Sequence, residues 1–164
     1  MADQTSSKAS TSVWLWLFPV VYLLHVGEEY WGGSGFSAYV ARTNGVNLSP
    51  ERFLLMNAVG WALMIIALCL ASRLKFSQWL TVCLATVFLV NGLSHTINAV
   101  ARAEYNPGLV SGLLLFIPLG ALTLARLKGK MRGRRYFGAL LVGALISGVV
   151  LWLALGGDLW ALAK

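Results

Sequence analysis

Long apolar runs separated by short polar segments make up most of the chain. The runs lie at residues 13–33, 53–72, 79–101, 108–125 and 136–157. A transmembrane helix needs about 20 mostly apolar residues, whereas a barrel strand needs about 9–11 with alternating polarity. These runs are long and continuous, which favours helices, because a helix satisfies its own backbone hydrogen bonds in lipid. The pattern predicts an all-α membrane protein, a single bundle of five transmembrane helices.

The segments between the runs divide the chain into regions. We predict a cytoplasmic N-terminal tail at 1–12, a four-helix membrane core at 13–125, a basic cytoplasmic loop at 126–135, and a fifth transmembrane helix with a short C-terminal tail at 136–164. The connections are short except for residues 34–52, which are rich in Gly, Ser and Asn. This composition is typical of a surface loop.

The composition agrees with a chain that has little mass outside the bilayer. Of the 164 residues, 58% are hydrophobic and 12% are charged, and the mean hydropathy is +0.72. An average soluble domain carries roughly 25% charged residues and needs polar groups to cover its surface. These values exclude a soluble domain, a disordered chain and a disulfide scaffold.

The distribution of Lys and Arg predicts the orientation, because cytoplasmic loops of membrane proteins carry an excess of positive charge. With five spans, one side receives nine basic residues, Lys8, Arg73, Lys75, Arg126, Lys128, Lys130, Arg132, Arg134 and Arg135, and the other receives four, Arg42, Arg52, Arg102 and Lys164. We therefore expect an integral membrane protein with its N-terminus in the cytoplasm and its C-terminus outside. No aromatic residues interleave with the basic loop for base stacking, so we expect membrane lipids as partners and no nucleic acid.

The ionisable residues inside the spans carry the strongest functional signal. His25, Glu28 and Glu29 lie together in the first span as HVGEE, and His95 lies in the third span within NGLSH. A charged group at this depth costs several kcal/mol and is rare unless it faces a bundle interior, forms a pair or binds something. On a helix, both glutamates fall within about 60° of His25, so the three share one side.

A polar stripe on the third span extends this cluster. Its members recur at helical spacing and are Asn91, His95, Asn98 and Arg102. At 1.5 Å per residue, Glu29 comes at about 24 Å from the start of the first span, and His95 comes at about 24 Å from the start of the third. We therefore predict one polar site in the outer half of the bilayer, with a pocket formed by Asn57, Trp61, Asn98 and Tyr105.

Three motifs resemble those of a known family. HVGEE, NGLSH and the YNPG turn at residues 105–108 are similar to the H-x-x-E-E, N-x-x-x-H and Y-x-P-G motifs of the HXXEE domain family. The resemblance covers roughly residues 13–125. That family consists of small prokaryotic membrane proteins with an uncharacterised biochemical role, so the resemblance implies a membrane setting and the site residues but no reaction.

One hypothesis for this site is a metal centre. His25, Glu29 and His95, with Glu28 or Asn91 assisting, offer nitrogen and oxygen ligands on facing helices. Two imidazoles and one carboxylate suit a single zinc or non-haem iron ion with an open position. Such a centre would make the chain an enzyme that hydrolyses or oxidises a lipophilic small molecule.

Two further hypotheses need no metal. A glutamate beside a histidine in an apolar bundle can exchange protons, which suits acid–base isomerisation of a lipid with His25, Glu28, Glu29 and His95 as the catalytic groups, assisted by Asn91. The same residues can instead be interhelical polar contacts of a non-catalytic binding or structural protein. The fifth span carries the small residues Gly138, Gly143, Ala144 and Gly148, which permit close helix contact within the chain or in a homo-oligomer.

Overall fold

The computed structural model describes residues 14–73 and 77–154, and within these ranges it contains helices and no strands. The helices are α1 (Leu17–Trp31), α2 (Phe36–Asn44), α3 (Pro50–Arg73), α4 (Ser77–Arg102), α5 (Leu109–Leu127) and α6 (Gly133–Ala154). The prediction of an all-α chain is confirmed. The two predicted tails, residues 1–12 and the last part of 136–164, lie outside the described residues.

Four of the described helices are long enough and apolar enough to cross a membrane. The spans are Pro50–Ala71, Gln78–Arg102, Leu109–Leu127 and Gly133–Ala154, and they indicate a membrane protein. The first predicted span, 13–33, corresponds to α1, which has 15 residues. A helix of that length is about 22 Å long, less than the roughly 30 Å of the hydrocarbon core. The count of five transmembrane helices is therefore not confirmed.

The predicted surface loop at 34–52 contains the helix α2, so that prediction is wrong for residues 36–44. Gly35 and Gly45 flank this helix with positive φ values of +80° and +68°. Between them, Tyr39 and Val40 are buried and pack with Phe53 of α3. The segment is polar overall, but Tyr39 and Val40 form an apolar pair on one face of α2. Burial of this pair holds α2 against the bundle.

The helix α4 lies at the centre of the bundle and packs along both α5 and α6. Glycines permit these close contacts. A Cβ atom on Gly92 would lie 2.6 Å from the carbonyl oxygen of Gly112, and one on Gly143 would lie 2.7 Å from that of Cys83. Gly143 of the predicted oligomer face thus packs within the chain, whereas a Cβ atom on Gly138 or Gly148 would meet no other described element within 4 Å.

The helix α5 changes its winding near the site. Residues Gly112–Phe116 form a π-helical stretch, in which the hydrogen bonds run from residue i to i+5. Pro118 follows this stretch and lacks the amide hydrogen that an α-helix would direct to Leu114. The wider turn carries Phe116, which is buried and lies 4.1 Å from the ring of Phe88.

Candidate metal centre

Three side chains meet between α1 and α4. His25, Glu29 and His95 are 2%, 6% and 8% exposed. One ligand atom from each lies within 4.8 Å of the others. The Glu29 Oε1 atom is 3.6 Å from His25 Nε2 and 3.3 Å from His95 Nε2. His25 and Glu29 are four residues apart and so share one face of α1, as the spacing predicts.

The Asn106 side chain fixes the orientation of His95. Its Nδ2 donates a hydrogen bond of 2.8 Å to the His95 carbonyl oxygen, and its Oδ1 is 2.8 Å from His95 Nδ1. Because the amide oxygen can only accept, Nδ1 of the imidazole carries the hydrogen. In the neutral imidazole the lone pair then lies on Nε2, which faces Glu29. Metal-binding histidines are commonly held in this way by an acceptor on the second ring nitrogen.

Ser111 fixes the orientation of the His25 ring in a similar way. Its hydroxyl donates to Oε2 of Glu28, and its oxygen lies 2.8 Å from His25 Nδ1. A carboxylate only accepts, so the serine hydrogen is committed and His25 Nδ1 must donate to the serine oxygen. His25 Nε2 then presents its lone pair to the site, and it has no hydrogen-bond partner among the described residues.

Glu28 lies outside the group of three ligand side chains and caps the start of α5. Its carboxylate accepts hydrogen bonds from the Tyr105 hydroxyl (2.9 Å), the Val110 amide (2.9 Å) and the Ser111 amide (2.6 Å). A carboxylate at a helix N-terminus satisfies free amides and interacts favourably with the helix dipole. Partial burial, together with the hydrogen bond to Glu28, raises the pKa of Tyr105 to about 12.

Gly108 of the YNPG turn covers the three side chains. Its φ is +96°, and a Cβ atom there would lie 2.6 Å from His95 Cε1, 2.9 Å from His25 Cε1 and 3.0 Å from Glu29 Cγ. Only glycine adopts this backbone conformation readily while approaching three side chains so closely. The turn therefore closes the site from the side that follows the C-terminal end of α4.

Aromatic rings form the apolar walls. The ring of Phe116 stacks on His25 with a centroid distance of 4.1 Å, and the ring of Phe36 lies 6.2 Å from that of His95. Phe36 belongs to α2, so the helix that replaced the predicted loop also contributes to this environment. Electrostatic interactions inside such an apolar enclosure are stronger than in water.

The other predicted site residues occupy different places. Asn57 accepts a hydrogen bond from the Tyr22 hydroxyl, and Trp61 donates to the Pro19 carbonyl oxygen, so both join α3 to α1 at positions preceding His25. Asn98 is exposed. Tyr105 reaches the site only through Glu28.

Asn91 lies one helical turn before His95 and interacts with His25. Its Oδ1 atom is buried without a hydrogen-bond partner among the described residues. Of the polar side chains predicted to assist the ligands, Asn91 is thus the one that the structure places beside them.

Several supporting residues were missed by the sequence-based reasoning. Asn106 and Gly108 lie inside the YNPG motif, where their signal was interpreted as a turn. Ser111 is a single serine in an apolar helix and Phe116 a single aromatic residue, and neither residue type at such a position indicates a site.

The three ligand side chains provide two imidazole nitrogens and one carboxylate oxygen. This donor set suits catalytic zinc with three protein ligands, or non-haem iron with open positions. The hydrogen-bond partners of both histidines form the outer shell that such sites commonly have. The residues present therefore fit a single metal ion.

Comparison with known proteins agrees with the motifs. A family described as "Protein of unknown function with HXXEE motif" matches residues 16–123, more than half of the chain. The matched range contains the three ligand side chains and their outer shell. No curated protein and no solved structure matches the chain. The chain belongs to the HXXEE family of proteins of unknown function.

Proposed function

We propose that this protein binds a single zinc or iron ion through His25, Glu29 and His95 and is an integral membrane enzyme that acts on a lipophilic substrate. The observation that carries the proposal is the convergence of three buried acceptor atoms within 4.8 Å. Both histidines direct their Nδ1 hydrogens outward to Asn106 and Ser111, so their Nε2 lone pairs point inward.

The charge balance supports a cation at this position. Two neutral imidazoles and one carboxylate carry a net charge of −1 inside a largely apolar enclosure. Burying an uncompensated carboxylate is costly, so such groups are paired or coordinate metals. A divalent ion would compensate the charge of Glu29 and accept the lone pairs of both histidines at once.

The three ligands leave a position for substrate. A zinc or iron ion with three protein ligands can polarise a bound water or a substrate oxygen, which suits hydrolysis or oxidation. The chain's own residues supply the rest: Asn106 and Ser111 orient the imidazoles, and Phe116 with Gly108 limits access of bulk water. Because lipid surrounds the helices, a substrate that reaches the site laterally would be lipophilic.

A second candidate is metal-free acid–base catalysis. The 3.3 Å distance between His95 Nε2 and Glu29 Oε1 favours it, because that pair can share a proton. Isomerisation of a lipid would use this pair as base and acid. The non-catalytic alternative treats the same contacts as interhelical hydrogen bonds that hold α1 to α4. A measurement of metal content distinguishes the metal-free enzyme and the non-catalytic protein from the metal-dependent enzyme.

We also propose the five-span topology in a bacterial inner membrane. In this arrangement α1 and the preceding residues form the first span, and the N-terminus is cytoplasmic. The basic residues of the 126–135 loop support this orientation, because they would lie on the cytoplasmic side. Helices α1 and α4 would then run in the same direction and place the site in the outer half of the bilayer.

Elemental analysis of protein purified in mild detergent tests the proposal. We expect about one equivalent of zinc or iron per chain, and Glu29→Gln and His95→Ala should lose it while remaining monodisperse. Glu51→Gln is the matched control, because Glu51 is an exposed carboxylate at the start of α3. A folded protein that holds no metal and takes up none on titration with Zn²⁺ or Fe²⁺ would overturn the proposal.

A further inference from the structure

Two buried acceptor atoms face the same region from different helices. Asn91 Oδ1 and His25 Nε2 both lack a hydrogen-bond partner among the described residues, and the two side chains interact. Ser111 and Glu28 commit His25 Nδ1 as the donor, so Nε2 is an acceptor as well. Buried acceptors are nearly always paired in native proteins, so two acceptors facing one region can together receive a species that brings a hydrogen or a positive charge.

The position of Asn91 indicates the side from which a polar molecule can approach His25, Glu29 and His95. Asn91 lies about one turn before His95 on the same side of α4, at about 6 Å along the axis. Gly108 closes the site from the opposite end, beyond the C-terminus of α4. Phe116 covers one face of His25. The polar approach to the three ligands is therefore on the Asn91 side.

We infer that Asn91 is a positioning residue that accepts a hydrogen bond from the ligand in the open position of the ion bound by His25, Glu29 and His95. This inference rests on the proposed metal centre. An amide oxygen favours a ligand that carries a hydrogen, such as water or an alcohol. It disfavours an anion that only accepts hydrogen bonds. The substrate class selected at this position is thus a hydroxyl-bearing lipid, or water as co-substrate.

Binding of azide to the cobalt-substituted protein tests this role. Co²⁺ commonly replaces zinc and gives visible absorption bands that report its ligands. Azide has no hydrogen to donate, so in the wild-type protein it must displace a water that Asn91 holds. Asn91→Leu removes the acceptor at similar volume, and we expect azide to bind about fivefold more tightly, the effect of one lost hydrogen bond.

Asn91→Asp provides the opposite change at nearly constant shape. A carboxylate accepts the hydrogen bond more strongly and repels an anion, so azide should bind more weakly than in the wild-type protein. A merely structural role of Asn91 would not give opposite shifts in the two variants. Ser94→Ala is the control, because the Ser94 hydroxyl donates to the Val90 carbonyl oxygen of its own helix, and it should leave azide binding unchanged.

The outcomes distinguish this inference from the proposed function. If wild-type protein takes up no Co²⁺, the metal centre itself is overturned. If Co²⁺ binds and azide affinity is the same in wild type and both Asn91 variants, only the positioning role is overturned. If Asn91→Leu instead increases Co²⁺ uptake without changing azide affinity, Asn91 donates its amide to His25, and the inference also fails. Should Asn91→Leu not fold, Asn91→Ala replaces it, with tighter azide binding again expected and unchanged binding overturning the positioning role.

Discussion

Glu28 and Glu29 are adjacent in the chain, but their carboxylates face different parts of the bundle. Glu29 Oε1 lies within 3.6 Å of both histidine Nε2 atoms, whereas Glu28 accepts its hydrogen bonds from Tyr105 and from the start of α5. In the proposed metal centre, Glu29 would therefore be a ligand, and Glu28 would support the start of α5.

These different surroundings predict that Glu28→Gln lowers stability, whereas Glu29→Gln lowers metal content. Glu28→Gln should keep its metal stoichiometry but lower the free energy of unfolding by about 1–3 kcal/mol, because an amide cannot accept from all of these donors. Glu29→Gln should lose the metal with a smaller change in stability. Thermal unfolding in detergent and elemental analysis of the same samples measure both effects. Equal metal loss in the two variants would contradict this prediction.

Gly108→Ala should disrupt the site. The new Cβ atom would lie 2.6 Å from His95 Cε1 at a φ of +96°, so the turn must shift away from the ligands. We expect metal affinity to fall at least about tenfold, as outer-shell changes commonly cause. Gly129→Ala is the matched control, because Gly129 has a φ of +85° but no atom within 4 Å of the new Cβ. Both variants carry backbone strain, and only the first should change Zn²⁺ affinity in a competitive titration.

Asn106→Ala should release the His95 ring from its fixed orientation. Removal of an outer-shell acceptor typically weakens metal binding about 10–100-fold, and we expect a loss in that range by Zn²⁺ titration. Asn98→Ala on α4 provides the control, because Asn98 is exposed. An unchanged affinity in Asn106→Ala would contradict the orienting role of Asn106.

The hydroxyl of Tyr105 predicts a dependence of stability on alkaline pH. Its folded-state pKa is raised to about 12 from the ordinary value of 10.0, so the folded protein retains the proton longer than the unfolded chain does. This contribution is present below pH 10 and is lost as the pH rises towards 12. The difference in unfolding free energy between wild type and Tyr105→Phe should therefore shrink across that range. A constant difference would argue against the hydrogen bond to Glu28.

Reporter fusions test the proposed topology. A reporter that is active only outside the cytoplasm should be active when fused after Lys164 and silent when placed in the 126–135 loop. The reverse pattern would place the site in the cytoplasmic half of the membrane. Activity at neither position or at both would mean that α6 does not cross the membrane.

The grouping of His25, Glu29 and His95 was predictable from helical spacing and from depth along the spans. His25 and Glu29 are four residues apart, and the depths of Glu29 and His95 follow from the constant rise per residue. The same arithmetic gives no information about how one helix is rotated against another. Asn57 and Trp61 therefore have a plausible depth, but they contact Tyr22 and Pro19 instead of the ligands.

The outer shell was not predictable for a different reason. Ser111 and Asn106 act through hydrogen bonds to residues 86 and 11 positions away in the chain, and no local pattern encodes such pairs. The helix α2 was missed because only two of its side chains, Tyr39 and Val40, are buried. Its polar residues Ser37, Arg42, Thr43 and Asn44, together with the flanking glycines, are typical of a loop.

The π-helical stretch Gly112–Phe116 has a consequence for how the site is built. Both Ser111 and Phe116 contact the imidazole of His25, although they are five residues apart. In an α-helix, five residues correspond to a rotation of about 140° beyond a full turn, so the two side chains would point in different directions. Winding closed by i to i+5 hydrogen bonds brings such residues nearly above one another. The site therefore depends on the winding of α5 as well as on the identity of its residues. In a chain with the same histidines and glutamates but a regular α-helical α5, His25 would contact either Ser111 or Phe116, and not both.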